Sequence, residues 1–295
     1  MGRGLSGSGR GGASCQLATL LGREKALTVQ RPSTAAAASE TGVQLLERDR
    51  EAAWLCSSAP RLRLSTDALC LAVSVFDRVV SITRVPTKYA NCLATASLYI
   101  AKKLCEDGDE SPSAFLDSLE LGYSANELKR MELSVLGILG WDAFLPTAER
   151  FASAQLSVLG FEWAWPALRC PLEACLRRGS LFRSFPASLV AASVVSLVLE
   201  RVSPLQWPLH CNLLLTACNL ELSQLIRCRE TIACVFCPSI NPYSPLADDS
   251  PSQTGEAPAS PSAPLLVPPS LAVSSTPSPS SNDLKSPVRV APAQC

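Results

Sequence analysis

The stretch Lys88–Lys103, KYANCLATASLYIAKK, decides how this chain is read. No charge falls between Lys88 and Lys102, and the polar side chains there (Asn91, Thr95, Ser97) are small. A helix that is apolar on every side belongs inside a protein. Ala90, Ala94, Ala96 and Ala101 let neighbouring helices approach closely, and alanine and leucine favour helix intrinsically. Pro86 stands just before the stretch, where a missing N–H costs a first helical turn nothing. About one hundred residues later Ala187–Leu199, ASLVAASVVSLVL, repeats the pattern directly after Pro186. The spacing predicts two helical bundles, each wrapped around one buried helix.

Working outward, Val43–Ser58 reads as a charged helix anchored by Trp54 and Leu55. Ser65 or Thr66 caps the next, whose buried stripe Leu69, Ala72, Val73, Phe76 and Val80 recurs at three- and four-residue steps. Asp77 lies at the margin of that stripe and needs a cation or hydrogen-bond donors, because an unpaired buried carboxylate is costly. Pro112–Glu120 reads as a short helix, and the capping box Ser124-Ala-Asn-Glu127 starts another over Ala125–Leu139. Pro146–Val158, Ala164–Arg178, Pro186–Val202, Pro204–Cys218 and Leu222–Phe236 supply five more, the second interrupted by Pro166 and Pro171. Gly, Ser, Ala and Arg fill residues 1–41, and Pro, Ser and Ala fill 238–295; both are expected to be disordered tails. The domains expected between them are 42–145 and 146–237.

The chain has 26 acidic and 26 basic residues, so its neutral balance argues against nucleic acid as a partner. Thirteen scattered cysteines, with no secretory leader in the opening residues, read as small core residues in a reducing compartment. Pro186–Leu199 is too short for a bilayer, which needs about 20 apolar residues. Met1-Gly2-Arg3-Gly4-Leu5-Ser6 fits the loose pattern for myristoylation on Gly2. Ser286-Pro287-Val288-Arg289, Thr276-Pro277 and Ser278-Pro279 are candidate sites for proline-directed kinases, although compositional bias also yields such pairs.

Enzyme chemistry finds no foothold. His210 stands alone, and Cys211, Cys218 and Cys228 lie at no convincing ligand spacing from it, so no metal site is expected. Cys234-Val-Phe-Cys237 has no second pair and no strand–helix setting. No glycine-rich phosphate loop or nucleophile elbow is present, and no cofactor or small-molecule ligand is expected.

Tandem five-helix bundles of this kind resemble the double cyclin box, over about residues 42–237. Arg48 precedes Trp54 by six residues and Trp54 precedes Asp67 by thirteen, which is similar to the family's Arg, Trp and acidic opening. Phe76-Asp77-Arg78, Ala101-Lys102-Lys103 with Glu106, and Leu128-Lys129-Arg130-Met131-Glu132 resemble further cyclin segments. Phe185-Pro186-Ala187-Ser188-Leu189 and Trp207-Pro208 resemble second boxes. Val85-Pro86-Thr87-Lys88-Tyr89 points to the cyclin G and cyclin I branch, with some D-type features in the second box.

The resemblance implies an all-α, non-catalytic regulatory subunit of a cyclin-dependent kinase, found in the nucleus and cytoplasm. It implies a buried Arg48–Asp77 pair, and a kinase-facing Lys103 and Glu132, whose alternative is two solvated helix-end charges. Where the family's substrate-docking groove carries Met-Arg-Ala-Ile-Leu, this chain has Glu47-Arg48-Asp49-Arg50-Glu51. With charge at Glu47, Arg50 and Glu51, loss of that groove is expected. Cys92 and Cys105 also replace a leucine and a glutamate of the pattern. These departures keep a second reading open: a kinase-independent adaptor holding other proteins, such as a phosphatase subunit.

Overall fold

The computed structural model describes residues 7–29, 42–108 and 110–236. Every regular element among them is helical, and no strand occurs. The first bundle comprises α2 (Leu45–Ser58), α3 (Thr66–Ile82), α4 (Ala90–Cys105), α5 (Pro112–Ser118) and α6 (Ala125–Ile138). In the numbering used here α1 is Gly7–Val29, which precedes the bundle in sequence. The second bundle comprises α7 (Ala148–Leu159), α8 (Trp165–Leu176), the short α9 (Gly179–Ser184), α10 (Ala187–Val202), α11 (Trp207–Cys218) and α12 (Leu222–Phe236).

The uncharged stretches occupy the centres. From Leu93 to Ala101 every residue of α4 is buried, and it packs on α2, α3 and α6. α10 is buried continuously from Ser188 to Ser196 and packs on α7, α8, α11 and α12. Leu55, Phe76, Leu98, Phe115, Leu128 and Val135 form one core, while Phe151, Leu156, Leu168, Val194, Leu214 and Cys228 belong to a second. Both central helices follow a proline at the expected place, although a turn of 3-10 helix, Thr87–Tyr89, intervenes before α4. Ser65, Ser111, Ser124 and Thr147 cap α3, α5, α6 and α7 through their hydroxyls, each satisfying a backbone N–H that the helix cannot.

The N-terminal expectation needs correction. Within residues 1–41, α1 is a helix, and it buries Ala13, Leu17 and Leu20, the two leucines within the second core. The four- and three-residue steps between those positions make a stripe, but the glycines and serines around it dilute the helical signal in sequence. α1 also solves a problem for α10. Its N-cap is Pro186, which has no side-chain acceptor, and the Glu24 carboxylate of α1 accepts from Ser188 N at 3.0 Å instead. Burial pushes the Glu24 carboxyl up from its ordinary value, against the pull of its hydrogen bonds to Ser188 and Ala187. Gly2 and the Pro/Ser-rich stretch with Thr276, Ser278 and Ser286 lie outside the described residues.

Candidate protein-interaction surface

The last turn of α4 carries Lys102 and Lys103, which suits the negative end of a helix dipole. They diverge. Lys102 Nζ reaches Glu110 at 2.5 Å, whereas Lys103 Nζ reaches Glu132 of α6 at 2.6 Å and lies 5.0 Å from the centre of the Tyr99 ring. The Glu132 side chain is 12% exposed and that of Lys103 49%, so the pair sits at a rim with one end in solvent. Leu104 and Leu133, the residues that follow each partner, are both exposed.

The turn leaving α6 adds two large apolar groups. Gly140 and Trp141 both adopt left-handed backbone, φ 61° and 63°. Glycine takes that conformation freely, but for tryptophan it is strained. The turn is held by Trp141 N donating to Leu136 O at 2.8 Å, and the indole is 69% exposed. Three residues on, exposed Phe144 has the Arg150 guanidinium over its ring at 3.6 Å. A strained, exposed aromatic is the sort of feature that binding sites retain.

Between α2, α3 and the end of α8, Arg48 acts as a fastener. Its Nε and Nη2 donate to the two Asp77 oxygens at 2.8 and 2.7 Å, and Nη1 donates to Leu176 O at 2.6 Å and Asp49 at 3.3 Å. Burial opposes its charge, but Asp77 and then Asp49 outweigh that and leave the guanidinium pKa raised. Asp49 in turn accepts from Gly179 N at 2.7 Å, so neighbouring residues of α2 tie both helix α3 and the start of α9.

The charged strip on α2 divides three ways. Glu47 reaches back to Gln44 N as half of a capping box. Arg50 is exposed. Glu51 is buried and accepts from Asn91 Nδ2 at 2.9 Å, while Asn91 Oδ1 accepts from the Tyr123 hydroxyl at 3.2 Å. The strip therefore includes an inward polar link between α2 and α4.

His210 is buried with its ring edge-on to Phe161 at 4.7 Å, and its Nδ1 has no hydrogen-bond partner. Among the described residues no group of three or more His, Cys, Asp or Glu side chains could hold a metal ion. The described cysteines are free thiols. Burial pushes Cys175 up to about 12 and Cys218 and Cys228 to about 11, so these thiols stay protonated and pack as small apolar groups. Cys234 is exposed, and Cys237 lies outside the described residues.

Arg150 was not legible as a site residue. Its Nε and Nη2 donate to Asp67, 83 residues earlier, at 2.9 and 3.0 Å, and Nη1 donates to Leu145 O at 3.1 Å. Nothing in the local pattern links positions so far apart.

Residues 18–143 match the family model described as "Cyclin, N-terminal domain". That match begins within α1. Among curated proteins, human Cyclin-I2 is 27% identical over 195 residues, covering 61% of this chain and 52% of that protein. Cyclin-A1-3 of Oryza sativa subsp. japonica is 29% identical over 190 residues, covering 62% of this chain and 38% of that protein. The chain thus spans about half the length, or less, of these relatives. The X-ray structure of a viral cyclin from herpesvirus saimiri superposes with a TM-score of 0.61 at 16% identity, covering 74% of this chain and 98% of that one. At that identity the likeness is one of fold.

Proposed function

We propose that the chain, whose residues 18–143 match the cyclin N-terminal domain, is a non-catalytic regulatory subunit that docks on a cyclin-dependent kinase through α4 and α6. The observation that carries this reading is the Lys103–Glu132 pair, 2.6 Å apart, each partner followed in sequence by an exposed leucine, Leu104 and Leu133. Apolar groups supply the area of such a contact, and the rim charges fix its register. Kinase activity depends on a Lys–Glu pair whose geometry follows the regulatory helix of the small lobe. A rigid surface packed on that helix favours the active arrangement without doing chemistry itself. The bundles would serve as its two boxes, 42–145 and 146–237.

The test is direct binding of the full chain to a panel of purified cyclin-dependent kinases. Replacing both Lys103→Ala and Glu132→Ala should weaken binding at least tenfold while leaving the helical circular-dichroism spectrum unchanged. Equal binding by the double variant counts against this surface.

The α2 strip favours one refinement: apolar substrate motifs do not dock at Glu47, Arg50 and Glu51. Glu51 is already committed to Asn91, and an apolar peptide there would bury carboxylate against hydrocarbon. The same strip supports the second reading, an adaptor that holds other proteins without a kinase. The kinase panel separates the two. Ser286, Thr276 and Ser278 are further proposed as phosphorylation sites, Ser286 by the bound kinase, since Arg289 follows its Ser-Pro step. Phosphosite mapping of active complexes that always finds Ser286 unmodified would defeat that. A place in cell-cycle or related signalling, in nucleus and cytoplasm, follows from the same reading. No described helix is long and apolar enough to cross a membrane.

A further inference from the structure

α11 breaks the rule that put α4 and α10 at the centre of their bundles. From Val202 to Leu220 the chain carries no Asp, Glu, Lys or Arg, a longer uncharged run than either central helix has. A helix of that composition belongs inside a protein. Yet α11 packs on α1, α7 and α10 along one side only, burying His210, Cys211, Leu214 and Cys218.

The other side is open. Leu209 is 62% exposed and Leu213 50%, and a four-residue step makes them neighbours along the helix. Leu205, in the turn that leads into α11, is 96% exposed. The exposed residues around them, Gln206, Pro208, Asn212 and Thr216, are all neutral.

Charge returns only at the two ends, with opposite sign. Arg201 stands in the last turn of α10, just before the turn into α11, and Glu221 follows the Asn219 cap of α11. Both are exposed. The carboxylate next to Arg201, that of Glu200, is engaged with Arg229. A partner for this face must be apolar in the middle, acidic opposite Arg201 and basic opposite Glu221. The same face turned end for end has that pattern.

We propose that the α11 face binds a second copy of this chain, the two α11 helices packing antiparallel about a two-fold axis. With the axis level with Cys211, Leu209 meets Leu213 of the second copy, Leu205 meets its Ala217, and Arg201 meets its Glu221. Symmetry makes each contact twice. The leucines form a core without charge, half-buried Ala217 is small enough to seat Leu205, and the ion pairs close the rim at both ends. A parallel pair would instead set Arg201 against Arg201 and Glu221 against Glu221. The face lies in the second bundle, whereas kinase docking is assigned to α4 and α6 of the first, so either can fail without the other.

Sedimentation velocity of the full chain, with no kinase present, tests this between about 1 and about 100 μM, the range of a moderate self-affinity. A dimer that dissociates on dilution is expected. Leu209→Glu should leave only monomer at the same concentrations, with the helical circular-dichroism spectrum unchanged because the side chain is exposed. Arg201→Glu should weaken association roughly tenfold by facing like charges in both symmetric contacts, and adding Glu221→Arg should restore it. A chain that stays monomeric throughout overturns the proposal and leaves the face to another protein. A dimer untouched by Leu209→Glu overturns it as well, and so does a double reversal as weak as the single one.

Discussion

Arg48 Nη1 lies 2.6 Å from Leu176 O, so the guanidinium that pairs with Asp77 in the first bundle also closes the end of α8 in the second. One side chain thereby completes a helix end 128 residues away. A C-terminal carbonyl left buried without a donor would be costly, and a fixed fork of donors satisfies it.

Arg48→Ala should destabilise the chain by about 3–5 kcal/mol, because it strands Asp77 and the Leu176 carbonyl together. Arg48→Lys should recover only part of that, since an ammonium cannot make the two-point contact and reach Leu176 as well. Urea unfolding monitored by circular dichroism measures both. Equal stability of the lysine variant and the natural chain would remove the fork from the explanation.

Gly179 meets the same fastener from the other side. A Cβ added there would fall 2.7 Å from Arg48 Cδ and 2.8 Å from Leu45 Cδ1. Arg48 is held at every nitrogen and cannot swing aside. Gly179→Ala should therefore cost about 1–3 kcal/mol of overpacking, measured in the same unfolding experiment. At a helix position with open space the same change would be neutral or stabilising.

Lys103 and Glu132 should separate binding from folding. Exchanging them, Lys103→Glu with Glu132→Lys, preserves an internal pair, and an ion pair with one end in solvent contributes about 0–1 kcal/mol. Melting temperature should barely move, while kinase binding should fall at least tenfold because the rim charges are reversed. Retained binding would show that the pair has no part in the contact.

Trp141→Gly should leave stability unchanged or slightly higher, because the substitution relieves left-handed backbone that costs an ordinary residue about 1–2 kcal/mol. Glycine returns part of that as lost chain entropy, about 0.5–1 kcal/mol. Partner affinity should drop, as the exposed indole is removed. A large loss of stability would mean that the ring packs in the fold after all.

Glu24→Ala should cost about 1 kcal/mol by uncapping α10, with Glu24→Gln milder since its amide oxygen still accepts from Ser188 N. Thermal melts of the two variants rank them.

The all-helical architecture was legible because its signals are local. An uncharged run behind a proline, a capping box, and apolar residues at three- and four-residue steps each act within a few turns of one helix. Twice, at Lys88–Lys103 and Ala187–Leu199, absence of charge was enough to mark a helix as central. The family motifs extended that reading to Arg48, Asp77, Lys103 and Glu132, whose positions in the chain could be matched one by one.

What stayed hidden has a common cause in distance along the chain. Nothing near Glu24 says that it caps a helix 164 residues away, and nothing near Arg150 points to Asp67. Hydrophobic periodicity sorts residues into inside and outside, so the sequence by itself determined the longer helices from α2 onward and their buried faces, while α1 and the short α9 escaped it. A hydrogen bond needs a partner within about 3 Å, and only the packing of one helix against another decides who that partner is. The fold class was therefore written in the pattern of side chains, and the joint between the bundles was decided by tertiary structure alone.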